Sequence, residues 1–140
     1  MDSRAVYFQA DQREAPLQAR SVQKALSRVV PEFDRASYAN WDDLLAALYT
    51  RVPGGLCVCL DEFPYLVQAA PALPSVLQRY VDRPDGQVKW VLCGSSQRMM
   101  QGLVLDRTAP LYGRAVEIMK IEPLSAGWLA RALSLAPPEA

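Results

Sequence analysis

The sequence predicts an α/β protein: a three-layer fold with a mostly parallel sheet and helices on both of its faces. Three observations predict it. Two near-continuous apolar runs, "LCVCL" (56–60) and "VKWVLC" (88–93), have the composition of central strands buried on both sides. A third short run, "AVYFQA" (5–10), is β-branched and aromatic. Between these runs lie helical patterns of ten or more residues, which is crossover length and implies parallel pairing.

The elements follow in order. After the first strand, Pro16 opens a helix in which Val22, Ala25, Leu26 and Val29 repeat on one face, and Pro31 is expected to end it. Asn40 is an N-cap residue, followed by Asp42 and Asp43 in the first turn, where the helix dipole favours negative charge. Trp41, Leu44, Leu45 and Leu48 form the apolar face of that second helix, and Pro53-Gly54-Gly55 stops it. Beyond the second strand, Leu73, Val76, Leu77, Tyr80 and Val81 mark another amphipathic helix with Pro74 near its start. "DRPDG" (82–86) is turn chemistry before the third strand. A short helix over 97–103 follows, then "AVEIMKI" (115–121), which alternates as a strand does, and finally a helix in "SAGWLARALSL", with Pro137-Pro138 after it.

Composition excludes several classes. The hydrophobic share of 51% fills a core, and the charged share of 21% is that of a folded chain. Fifteen basic and fifteen acidic residues cancel, so nothing in the bulk charge indicates nucleic acid or a membrane surface. No apolar run spans a bilayer and the N-terminus has no signal-peptide core, so a cytoplasmic location is expected. Cys57, Cys59 and Cys93 form no disulfide framework and have no histidine to complete a zinc site; they are expected as small buried hydrophobes.

The chemistry concentrates at the strand ends. Asp61 and Glu62 directly follow one apolar strand, and Ser95 and Ser96 follow another. In parallel α/β sheets ligands bind beyond the carboxyl ends of the strands, so neighbouring strands would bring these four side chains to one crevice. Burying carboxylates without partners is costly. They either begin a solvated loop or hold a cation and a water.

The segments "LDEFPYL", "LCGSSQRMM" and "APLYGR", in this order and spacing, resemble the prokaryotic AAA-type ATPases of the archaeal ATPase family, within the wider STAND and AAA P-loop NTPase group. The resemblance covers roughly residues 5–124. It implies that Asp61 and Glu62 are the Walker B pair, Asp61 holding Mg²⁺ and Glu62 polarising the water that attacks ATP. It further implies that Ser95 or Ser96 is the sensor and that Arg114 contacts nucleotide phosphate. Phe63, Pro64 and Tyr65 would be signature residues with packing roles.

One departure from that family is large. None of the three lysines, Lys24, Lys89 and Lys120, follows a glycine, so there is no Gly-x-x-x-x-Gly-Lys loop to cradle phosphates. By the resemblance, the chain begins at the family's second strand. Residues 1–124 would be a partial ATPase core without the first strand, P-loop and first helix, and residues 125–140 the start of a C-terminal helical lid or tail. Tight ATP binding and hydrolysis by the chain alone are not expected. The family's strand order, 5-1-4-3-2, would leave "VKWVLC" with an open edge. That edge would invite self-association or an ATPase-family partner, or let "AVEIMKI" close directly onto it. A non-catalytic interaction module derived from the ATPase fold is the alternative function, and an unrelated acidic metal site at Asp61-Glu62 a third.

Overall fold

The computed structural model describes residues 4–52 and 54–133. Three strands, β1 (Arg4–Gln9), β2 (Leu56–Asp61) and β3 (Val88–Leu92), form one parallel sheet in the order β1-β2-β3. Helices α1 (Ala15–Leu26) and α2 (Trp41–Arg51) connect the first pair; α3 (Phe63–Ala69) and α4 (Leu73–Val81) connect the second. Helix α5 (Gln97–Val104) follows β3, and α6 (Ala126–Ala132) lies near the end of the described chain. Pro53, Pro137 and Pro138 lie outside the described residues.

The α/β class and the parallel pairing are as the sequence predicts. Local signals explain most boundaries. The Asn40 side chain accepts a hydrogen bond from the Asp43 N–H at 2.8 Å, capping α2. Helix α1 ends at Leu26 rather than running to Pro31, and turns fill the interval. Prolines in the first turns of α1, α3 and α4 use positions where a missing N–H costs nothing.

Among the described residues the sandwich is two layers, not the expected three. Val6, Phe8, Leu56, Val58, Leu60 and Val88 are buried on one sheet face, in a core shared with Leu26, Leu44, Leu48, Phe63 and Leu77 of the helices. The alternate residues face the other way, and there Tyr7 is 56% exposed and Val91 43%. The reason is topological. Right-handed crossovers that always step in one direction lay their helices on one face, and covering the second face requires the strand order to reverse. The order β1-β2-β3 does not reverse. Cys57, Cys59 and Cys93 accordingly are half-buried beside this open face, not fully buried.

The second correction concerns residues 115–121, which form no strand. Val116 and Ile121 are almost wholly exposed. Alternation is a local signal, whereas a strand exists only where an edge supplies its hydrogen bonds. Among the described residues β3 pairs only with β2, and the segment does not close onto its outer edge.

Candidate functional site

Parallel pairing aligns Gln9 with Asp61 and Leu60 with Leu92, so the carboxyl ends of all three strands lie together. Two backbone bonds fasten the exits of β2 and β3: Cys93 N–H to the Leu60 carbonyl at 3.0 Å, and Phe63 N–H to the Cys93 carbonyl at 2.9 Å. Glu62 lies between these anchors and opposite the turn after β3.

Asp61 is the last residue of β2 and, with Cys57 and Cys59, points to the open face. One carboxylate oxygen, Oδ1, accepts the Glu62 N–H at 2.8 Å; the other accepts the phenolic O–H of Tyr7 from the neighbouring strand. That hydrogen bond and the adjacent negative charge push the Tyr7 phenol up to about 12. Tyr7 was not among the residues the sequence singles out. The available signal was alternation in β1: with Val6 and Phe8 inward, Tyr7 must face the side that Asp61 faces.

Glu62 adopts a left-handed conformation (φ 52°, ψ 40°), which a side chain other than glycine occupies at a cost. The turn allows α3 to begin at the very next residue. It also aims the Glu62 carboxylate toward the turn after β3, where Oε2 accepts the Ser95 hydroxyl at 3.2 Å. Ser96 has a different task. Its hydroxyl accepts the Met99 N–H at 3.4 Å and caps α5. The turn carrying Ser95 is held by close packing at Gly94, where an added Cβ would lie 2.8 Å from Met100 and 3.1 Å from Pro64. Phe63, Pro64 and Leu66 are buried against the core and Tyr65 partly so, consistent with packing roles.

Arg114 is not brought to this cluster. Its guanidinium grips both oxygens of Asp82, just beyond the C-terminal end of α4, at 2.7 and 3.0 Å. The Pro110 and Tyr112 carbonyls accept from it as well, at 2.9 and 3.2 Å. The hydrogen bonds from Arg114, helped by its charge, hold the Asp82 carboxyl below the usual carboxylate range.

Two thiols border the site. Cys59 and Cys93 have sulfurs 3.8 Å apart, and burial, followed by that contact, pushes the Cys59 thiol up to about 11. Such a thiol stays protonated and is a poor nucleophile or metal ligand at neutral pH.

The donor set of two carboxylates and a serine hydroxyl suits a hydrated magnesium ion bound through one or two carboxylates. Among the described residues, no group of three or more His, Cys, Asp or Glu converges as a metal-binding cluster. The chain has no glycine-rich loop with a lysine for a triphosphate.

No family model matches the chain. An uncharacterized protein of Methanocaldococcus jannaschii is 34% identical over 100 residues, which is 70% of this chain and 21% of that protein. The chain therefore spans about a fifth of the length of the curated relative it matches. Among the described residues, no helix is long and apolar enough to cross a membrane.

Proposed function

We propose that this chain carries the cation- and water-holding end of an AAA-type ATPase core and is inactive without a separate phosphate-binding loop. The observation that supports this reading best is the joining of Asp61, Glu62 and Ser95 at the carboxyl ends of adjacent parallel strands. In this reading Asp61 would hold magnesium, which would neutralise charge on the phosphates. Glu62 orients a water and accepts its proton on the carboxylate. Ser95 holds the Glu62 carboxylate in place and senses what occupies the crevice. The strained backbone at Glu62 fits a residue whose aim matters more than its stability. Arg114 reaches a phosphate only if it leaves Asp82.

A second reading, a non-catalytic interaction module, is favoured by the open face and edge of the sheet. The DNA upstream of Met1 discriminates the two. A stretch encoding strand, Gly-x-x-x-x-Gly-Lys-Ser/Thr and helix, in frame or shifted, supports the ATPase reading, provided the extended chain hydrolyses Mg-ATP. Its absence contradicts that reading and leaves the module.

A further inference from the structure

The body of the protein has two unmet needs, and its C-terminal region has two matching surpluses. The outer edge of β3 pairs with no strand among the described residues. In a parallel ladder alternate residues bond to opposite sides; with Gln87 and Cys93 bonded toward β2, the N–H and C=O groups of Val88, Trp90 and Leu92 point outward. Among the described residues, no helical layer covers the sheet face around Tyr7 and Val91, which are exposed.

Beyond Arg114, residues 115–121 have strand alternation without a strand to join, and Val116, Ile118, Met119 and Ile121 are exposed. Helix α6 then exposes Trp128 and Leu129, with Leu133 just beyond its end; Leu129 and Leu133, four apart, lie on one side. A strand-like segment followed by an amphipathic helix is what an open edge and a bare face can accept.

The exposed area points the same way. A compact monomer of 15.5 kDa exposes about 7,200 Å². This chain exposes 9734 Å², about 2,500 Å² more. A stable interface buries roughly 800 Å² per partner, so the excess is ample for one. The segment is not seated on its own body: its start is fixed by buried Leu111 and by the Arg114–Asp82 pair, and beyond them it stays exposed. A second copy offers the same edge and face, and a formal net charge of zero gives the copies no bulk repulsion.

We propose that the occupant is a second copy of this chain. Residues 115–121 of each protomer add a fourth strand on the outer edge of β3 in the other, and α6 covers part of the exposed sheet face. The exchange is reciprocal and two-fold, so it closes at a dimer. It stands independently of any chemistry at Asp61.

The test is the solution mass of the full chain by sedimentation at tens of micromolar, with Ile118→Pro beside it. Proline removes a strand N–H at a position exposed in the monomer, so the body keeps its circular dichroism. The expected result is twice 15.5 kDa for the wild type and a shift to a single chain for the variant. Hydrogen exchange gives a second reading: amides of 116–121 and of Val88, Trp90 and Leu92 gain protection as concentration rises. A monomeric wild type overturns the proposal, as do open-ended oligomers or a dimer that survives Ile118→Pro. Protection of 116–121 independent of concentration overturns it too, because the segment then folds onto its own body.

Discussion

The Ser95 hydroxyl donates to Glu62 Oε2 across 3.2 Å, joining the turn after β3 to the turn after β2. Glu62 makes this contact from a left-handed backbone that glycine would occupy more easily. Site geometry and local strain therefore meet in one residue.

Relieving that strain should stabilise the fold. Glu62→Gly is expected to raise unfolding free energy by about 0.5–1 kcal/mol in urea denaturation, since left-handed geometry penalises a Cβ by about 1–2 kcal/mol and added chain entropy offsets part. A loss of stability would mean that the Ser95 contact outweighs the strain.

Tyr7 reports on Asp61. In a chain carrying ¹³Cζ-tyrosine, its resonance should titrate near 12. Phenolate formation beside a carboxylate is disfavoured, so Asp61→Asn should return it toward the ordinary value of about 10. An unchanged titration would separate the two side chains.

Arg114 and Asp82 predict a pH signature. The folded-state pKa of Asp82 is depressed, so the stability this pair contributes is present above the unfolded carboxylate value and lost as pH falls through the folded value. Arg114→Ala should lower Tm at pH 7, with the difference from wild type fading as the pH is taken well below 4. A difference that persists at low pH would assign the loss to packing and to the bonds Arg114 gives the Pro110 and Tyr112 carbonyls.

The cap on α2 is a local contribution. Asn40→Ala should cost about 1 kcal/mol in urea denaturation, and Asn40→Gly a few tenths. Equal losses for both would assign the effect to something other than the missing hydrogen bond.

Strands with apolar faces, the cap at Asn40 and the nearness of Asp61 to Ser95 were all readable, because each rests on local composition plus parallel pairing. The separate tasks of Ser95 and Ser96 were not, because the start of α5 decides which hydroxyl turns to the backbone. Helix α3 was hidden for a similar reason: here it starts directly after β2 through a left-handed residue, and glutamate does not announce one. The tie between Tyr7 and Asp61 depends on strand register, which alternation alone leaves open. Residues 115–121 carry a strand pattern but no strand, since pairing is supplied by a neighbour and not by the pattern.

The decisive measurement is Mg-ATP turnover by two proteins: this chain alone, and this chain extended at its N-terminus by a strand, Gly-x-x-x-x-Gly-Lys-Ser/Thr and helix. The expected result is no binding or hydrolysis by the first. The second should bind and hydrolyse, and Glu62→Gln should abolish its hydrolysis while leaving binding intact. Tight Mg-ATP binding by the chain alone, or turnover in the extended protein that is indifferent to Glu62→Gln, would contradict the assignment of Asp61 and Glu62.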